Sequence, residues 1–249
     1  MDQFLTSLQN PLVKHLAKLR LNRTYREEHG TVLVEGTKLI QEISAHTTIR
    51  TLLIKEGIRP PENIHAKESF IVTDAIINKI AGTVSPEGIL AEVPLPPPSS
   101  LKGKSHILAL DGVRDPGNMG TLLRTAVALG WDGAFLLDGS VDPFNDKALR
   151  AAKGATFRLP MCTGSWSDLL PLIAAEGWSP IAADIDGIAI DTLTIPTKVI
   201  LILGNEGEGI SEKATQNASK VTIPMSGQME SLNVAVAGGI LMQLLRGSK

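Results

Sequence analysis

Residues 221–239 read VTIPMSGQMESLNVAVAGG, and the fold turns on what this stretch becomes. Val221-Thr222-Ile223 is a short β-branched strand. Pro224 stops it, because proline has no N–H for a ladder and a fixed φ. Gly227 allows a tight turn. From Ser231 the pattern predicts an apolar helix with Leu232, Val234, Val236, Ala237, Ile240, Leu241, Leu244 and Leu245 on its buried side. Gly238 and Gly239 lie inside that helix, where each costs ~1 kcal/mol relative to alanine. A strand, a polar loop and a helix with two unfavourable glycines describe a loop that holds something and a helix packed closely from outside.

Working back toward the N-terminus, apolar strand-like runs keep ending in polar, glycine-containing loops. His106–Leu110 leads into Asp111–Gly120 and then a helix to about Leu129. Gly133–Leu137 is the next strand. Residues 145–153 and 167–176 are helical, and Ser179–Ala183 and Val199–Leu203 are strands. Alternation of this kind predicts a mainly parallel sheet covered on both faces, with ligands beyond the carboxyl ends of the strands. Three loops lie at those ends: Asp111–Gly120, Gly204–Gly209 and Met225–Glu230.

Val93-Pro94-Leu95-Pro96-Pro97-Pro98-Ser99-Ser100 carries four prolines in eight residues and reads as an extended, semi-stiff linker. The organisation expected is therefore a domain over 1–93, a linker over 94–104 and a second domain over 105–249. The first domain also alternates. A helix over residues 10–24, capped by Asn10 with Pro11 in its first turn, is followed by strands at Thr31–Val34, Ile49–Ile54, Phe70–Val72 and Ile89–Val93. Lys14, Lys18, Arg20, Arg23 and Arg26 fall within thirteen residues, whereas the whole chain has a formal charge of −2. Such a basic run is either a solvated helix face or a phosphate-contacting one.

Composition narrows the function classes. The 249 residues suit one large domain or two modest ones, and 43% hydrophobic content supplies a real core. No apolar run approaches the ~18 residues of a membrane span, and MDQFLTSLQNP has no basic region followed by an apolar core, so no secretory signal is expected. The single cysteine, Cys162, has no partner for a disulfide or a zinc cluster and reads as a small core residue, which fits a reducing cytoplasm. His15, His29, His46, His65 and His106 show no metal-ligand spacing, so no metal is expected.

Each loop has its own chemistry. In DGVRDPGNMG, Pro116 and Gly117 set the turn and Asn118 is placed to cap the helix. Arg124 lies off the apolar stripe of that helix with the small residues Thr121, Thr125 and Ala128 one turn away; it is either a solvated arginine or one able to reach an oxyanion. GNEGEG (204–209) superficially resembles a dinucleotide fingerprint, but its spacing is wrong and two carboxylates would face a pyrophosphate. Its glycines bring backbone close to a ligand instead, and Glu206 or Glu208 can hold a cationic group or be a plain loop acid. Ser231 and Asn233 read equally as helix-terminal polar residues.

Together and in order, LDGVRDPGNMGTLLRTAVALG (110–130), LILGNEGEGIS (201–211) and IPMSGQMESLNVAVAGGIL (223–241) resemble the three signature motifs of the SpoU/TrmH-type RNA ribose 2′-O-methyltransferases of the SPOUT class. NPLVK (10–14) and VLVEG (32–36) are similar, more loosely, to the substrate-binding domain that precedes the catalytic domain in many members, itself like small α/β RNA-binding ribosomal proteins.

The resemblance implies an α/β trefoil-knot domain behind a small α/β RNA-binding domain, although general topology rules argue against knots. It implies S-adenosylmethionine as cofactor, held by backbone around Leu203, Gly204, Ile223, Met225 and Leu232. By motif match Arg124 stands beside the ribose hydroxyl, and Asn118 positions ribose or phosphate. Glu206 orients Arg124 or the loop, and Ser231 and Asn233 hydrogen-bond within the site. The implied partners are structured RNA, with large-subunit ribosomal RNA favoured over tRNA, and a second copy of the chain in a homodimer with the active site at the interface. RNA would be captured partly by Lys14, Lys18, Arg20, Arg23 and Arg26. Non-catalytic RNA binding or ribosome assembly on the same fold is the other reading. Asn205 departs from the family pattern, where a small residue is common. Gly238 and Gly239 are expected to allow close helix packing.

Overall fold

The computed structural model describes residues 3–59 and 64–246, so the outermost ends of the first and last expected domains lie outside the described residues. The chain divides into two compact units, Met1–Pro97 with Phe144–Arg150, and Pro98–Pro143 with Ala151–Lys249.

The first unit runs β1 (Gln3–Leu5), α1 (Pro11–Leu21), α2 (Arg23–His29), β2 (Thr31–Glu35), α3 (Thr37–Ser44), β3 (Ile49–Lys55), β4 (Ala66–Val72), α4 (Asp74–Ala81) and β5 (Ile89–Pro94). Its five-stranded sheet has the order β1-β4-β3-β5-β2. β4 runs parallel to β1 and β3, whereas β5 is antiparallel to β3 and β2. Val13, Leu16 and Leu19 of α1 pack with Ile76, Ile77 and Ile80 of α4 over Leu33, Leu53 and Leu90 of the sheet. The helix expected over 10–24 is two helices. Asn22 breaks it, with an extended backbone and a side chain that accepts from the Tyr25 N–H to cap α2.

The second unit runs β6 (His106–Leu110), α5 (Pro116–Ala128), β7 (Gly133–Leu137), β8 (Met161–Gly164), α7 (Trp166–Glu176), β9 (Ser179–Ala189), β10 (Val199–Leu203), α8 (Glu212–Asn217), β11 (Ser219–Thr222) and α9 (Val234–Leu245), while α6 (Asp146–Ala152), between β7 and β8, belongs up to Arg150 to the first unit. The six strands, in the order β11-β9-β10-β6-β7-β8, are all parallel. Ile107–Leu110 and Val199–Leu203 are fully buried, which is why both read as unbroken apolar runs. They are neighbours, in register from Val199 opposite His106 to Leu203 opposite Leu110. The chain leaves β6 toward β7 and β8, then returns on the other side through β9 and β10. The carboxyl ends of β6 and β10 are therefore the topological switch point, where open α/β sheets bind ligands.

The proline-rich stretch is tied down at both ends. The Leu95 N–H donates to the Gly30 carbonyl, the Ser99 N–H donates to the Met161 carbonyl, and Leu101 is buried in the second core.

The opening stretch differs from expectation in register. Its helix begins at Val234, not Ser231, with Asn233 as N-cap accepting from the Ala235 and Val236 N–H groups. The buried face is Ala235, Gly238, Leu241, Met242 and Leu245, and Val236, Ile240 and Leu244 point outward at 52%, 36% and 43% exposure. A Cβ on Gly238 would lie 2.5 Å from Leu122 Cδ2 and 2.6 Å from Leu203 Cδ1, so this glycine does permit close packing of α9 on α5 and β10. Gly239 meets only Thr125 Cγ2 at 3.6 Å, an ordinary contact, and the same reason does not extend to it.

Candidate functional site

Asp115, Pro116 and Gly117 turn the chain from β6 into α5. Asp115, not Asn118, is the N-cap, its Oδ1 accepting from the Asn118 N–H at 2.7 Å. That frees the Asn118 side chain, one turn into the helix. Asn118 Nδ2 donates to Glu206 Oε1 at 3.0 Å, and Asn118 Oδ1 accepts from Asn233 Nδ2 at 3.0 Å. One asparagine thus joins the loop after β6, the loop after β10 and the N-terminus of α9.

Glu206 also accepts from the backbone N–H groups of Arg114 and Asp115, each at 3.2 Å. Burial acts to raise its pKa, but the bonds from Asn118 and these backbone groups outweigh it and hold the carboxyl below the ordinary 4.5. Of the two targets expected for Glu206, the loop has it; no bond joins it to Arg124. Arg114 instead pairs with Glu208, Nη2 to Oε2 at 3.3 Å, with both side chains mostly exposed.

The loop after β10 closes on itself. The N–H groups of Asn205 and Gly209 exchange bonds with each other's carbonyls at 2.8 and 3.0 Å. Gly204 must be glycine, since a Cβ would come within 2.2 Å of the Gly209 carbonyl oxygen. Asn205 shapes the loop by accepting from the Gly207 and Glu208 N–H groups, and it reaches across to donate to the Gly112 carbonyl at 2.9 Å. Beneath, buried Asp111 accepts from Trp166 Nε1 and the Ser211 N–H, both at 3.2 Å. Asn205 and Asp111 were not singled out as site residues. Asp111 at the exact end of an apolar strand was the available signal.

Arg124 projects from the exposed face of α5, with no hydrogen bond or ion pair among the described residues. A cation on a rigid helix with nothing to neutralise it is available to an anionic or developing anionic group. Ser231 is exposed ahead of α9 and joins no hydrogen bond among the described residues.

Of the expected cofactor-holding positions, Leu203 and Gly204 are buried, and the Leu203 carbonyl accepts from the Asp111 N–H at 2.8 Å. Ile223 is half-buried, while Met225 and Leu232 are 38% and 39% exposed. Among the described residues, no backbone bond involves the segment from Pro224 to Leu232. A stretch of unpaired backbone N–H and C=O groups with Met225 and Leu232 near its ends suits a ligand with a flat heteroaromatic base and a ribose, so these residues fit S-adenosylmethionine.

The RNA-facing set changes. Arg26 is 3% exposed, and its Nη1 donates to the carbonyls of Leu19 and Arg20 at 2.6 and 3.0 Å. It locks the α1–α2 junction and is withdrawn from that set. Arg20 is mostly buried and Arg23 pairs with Glu27 at 2.8 Å, whereas Lys14 and Lys18 are exposed.

An all-parallel sheet with joined switch-point loops and an exposed arginine on α5 fits the expected site, and comparison with known proteins makes the chain an S-adenosylmethionine-dependent RNA methyltransferase of the SPOUT class. Residues 105–243 match the SpoU rRNA methylase family and residues 10–91 the MRM3-like substrate-binding domain. The chain belongs to the SpoU rRNA methylase family. It is 32% identical over 245 residues to the 23S rRNA (guanosine(2553)-2′-O)-methyltransferase RlmP of Bacillus subtilis, covering 97% of this chain and 98% of that one. Among solved structures it resembles the AdoMet-bound rRNA methyltransferase from Sinorhizobium meliloti, at 28% identity and TM-score 0.85 over 98% of this chain and 97% of that one. It also resembles a putative TrmH-family RNA methyltransferase from Porphyromonas gingivalis, at 32% identity and TM-score 0.82 over 96% and 98%. The expected α/β class, with a parallel-sheet domain behind a small α/β domain, is the one observed, and its structural neighbours share it over nearly their full length.

Proposed function

We propose that this protein methylates a ribose 2′-hydroxyl in large-subunit ribosomal RNA. The observation that carries the reading is the Glu206–Asn118–Asn233 chain of hydrogen bonds, which joins the loop after β10, the first turn of α5 and the start of α9, with Arg124 exposed on α5. The named activity of the Bacillus subtilis relative, matched over nearly its full length, supports 23S rRNA over tRNA as the substrate class.

Bound S-adenosylmethionine supplies a methyl group on a cationic sulfur that departs as a neutral thioether. Backbone of Leu203, Gly204, Ile223, Met225 and Leu232 would hold it. The ribose oxygen loses its proton as it takes the methyl group, and Arg124 stabilises the developing alkoxide. Arginine stays protonated, so its part is electrostatic, and the proton passes to an RNA phosphate or to water. Asn118, held by Glu206 and Asn233, positions the ribose or its phosphate, and Ser231 hydrogen-bonds in the same crevice.

Residues 1–93 act as the RNA substrate-binding domain, 94–104 as linker and 105–249 as the methyltransferase domain. Lys14 and Lys18 contribute phosphate contacts. The working unit is a homodimer with the active site at its interface. The outward stripe Val236, Ile240 and Leu244 on α9, next to exposed Leu232, supports it, because an apolar row on a soluble helix calls for a partner surface. No helix among the described residues is long and apolar enough to cross a membrane, and a cytoplasmic site of action fits the ribosomal substrate.

Mapping 2′-O-methyl groups in 23S rRNA from cells with and without this protein tests the reading. One site should vanish on deletion and return with the wild-type gene; an unchanged rRNA map would refute it.

A further inference from the structure

The first unit contains a cluster of rings and cations that the basic-run reading did not foresee. Tyr25 and His29 lie one turn apart on α2, their ring centroids 3.9 Å apart at a 35° tilt. The Lys18 ammonium stands 4.1 Å from the Tyr25 centroid. His15 completes the group, with its ring 5.5 Å from Tyr25 and 5.1 Å from His29.

The cluster is fastened from below. His15 Nδ1 bonds the Tyr25 hydroxyl at 2.9 Å, and His15 Nε2 bonds Glu92 Oε1 at 3.2 Å. Glu92 is 1% exposed and accepts from Thr31 Oγ1 at 2.8 Å and Thr51 Oγ1 at 3.0 Å. Arg50 approaches the same carboxylate at 3.5 Å while remaining 54% exposed. The His29 Nδ1–H donates to the Tyr25 carbonyl at 2.9 Å, which fixes its ring although the residue is exposed. A buried carboxylate is costly unless fully paired, and apolar residues in its place would serve stability as well. What Glu92 provides here is orientation: it holds His15, which holds Tyr25, against which His29 lies.

We propose that this Tyr25–His29–His15 platform, flanked by Lys18 and Arg50, is the site where the first unit takes up an unpaired base of its RNA substrate and the neighbouring phosphate. With Tyr25 covered by His29 and Lys18, exposed His29 is the ring that offers a base a stacking face without preference for its edge, and the flanking cations serve the backbone. Of the two acids on the same helix, Glu27 is already occupied by Arg23 and Glu28 is exposed to solvent. Single-stranded loops rather than duplex follow as the chemistry recognised, because a duplex offers no free base face. The inference rests on the proposed RNA substrate and deepens it by naming the contact.

Tyr25 is the only tyrosine in the chain, so full-length protein grown with 3-fluorotyrosine carries one fluorine signal from this site. A short single-stranded oligoadenylate should shift and broaden that signal, and S-adenosylmethionine alone should leave it in place. His29→Ala should weaken oligoadenylate binding roughly tenfold with the salt dependence kept, as expected for lost stacking. Lys18→Ala should instead flatten the salt dependence by about one phosphate contact. Because Tyr25 also packs on the core, Tyr25→Phe, which keeps the ring and loses only the hydroxyl bond to His15, should weaken binding less than His29→Ala does. The proposal is overturned if the oligonucleotide fails to bind, if it binds without moving the fluorine signal, or if His29→Ala binds like wild type. Full methylation of rRNA by His29→Ala with unchanged affinity would remove the platform and leave the methyltransferase reading intact. A shifted fluorine signal in a protein that methylates no RNA would do the reverse.

Discussion

Asn233 and Asn118, 115 residues apart in the chain, are joined side chain to side chain at 3.0 Å. Asn233 spends its Oδ1 capping α9 and its Nδ2 on Asn118, while Asn118 spends its own Nδ2 on Glu206. Each amide in the series is oriented by its neighbour, so the loops of the crevice are set as one body.

Glu206→Gln should therefore act on chemistry more than on cofactor uptake. A hydrogen bond to a charged group contributes about 1.5–3 kcal/mol, so single-turnover methylation should fall roughly 10- to 100-fold. Affinity for S-adenosylmethionine, measured by calorimetry, should stay within about threefold. An equal loss in both would mean that Glu206 serves the cofactor loop.

The same carboxyl sets a pH limit. Its folded-state pKa lies below the ordinary 4.5, so its contribution is fully present above that value and is lost as pH falls through the depressed one. NMR signals of the Asn118 side-chain amide should hold constant from pH 7 to about pH 5 and change only in more acid solution. A change centred near neutrality would contradict the assignment.

The two glycines of α9 should part company. Gly238→Ala forces Leu122 and Leu203 aside and should cost about 1–3 kcal/mol. Gly239→Ala meets only ordinary contact and should stabilise by up to about 1 kcal/mol through helix propensity. Denaturant titration of both variants separates them; equal effects would refute the packing argument.

Arg26→Ala should destabilise the first unit by about 2 kcal/mol or more, because it leaves the buried carbonyls of Leu19 and Arg20 unsatisfied. Lys18→Ala, on the surface, should change stability by no more than about 0.5 kcal/mol. Hydrogen exchange at the α1–α2 junction would show the difference directly.

Burial pushes the Cys162 thiol up to about 11. At pH 8 roughly one thiol in a thousand is then ionised, so alkylation by iodoacetamide should be far slower than for an exposed cysteine. Rapid labelling of the folded protein would show that the thiol is not held in the core.

The second unit was legible because its sheet is parallel. Val199–Leu203 and Ile107–Leu110 are covered on both faces, so they appear as unbroken apolar runs, each ending where a polar glycine loop begins. The helix of the opening stretch was placed, but its face was not. Ser231 and Asn233 are equally good caps, and because nearly every residue of the helix is apolar or glycine, nothing in its pattern separates Val236, Ile240 and Leu244, which point out, from the buried face. An apolar residue reserved for another surface looks, in sequence, like a core residue. The opposite error befell Arg26, since charge alone does not reveal a guanidinium folded onto carbonyls seven and six residues back. Asn22 was hidden because a cap inside a basic run leaves the run unbroken. The His15–Glu92 tie spans 77 residues, beyond the reach of any local pattern.

Transfer of labelled methyl from S-adenosylmethionine to 23S rRNA, followed for wild type and Arg124→Ala with cofactor affinity measured alongside, tests the proposed chemistry most directly. Wild type should place the label on a single ribose 2′-oxygen, and Arg124→Ala should bind cofactor normally while transfer drops by about 100-fold or more, the scale of losing an oxyanion-stabilising group. Wild-type transfer by Arg124→Ala, or label on a base instead of a ribose, would contradict it.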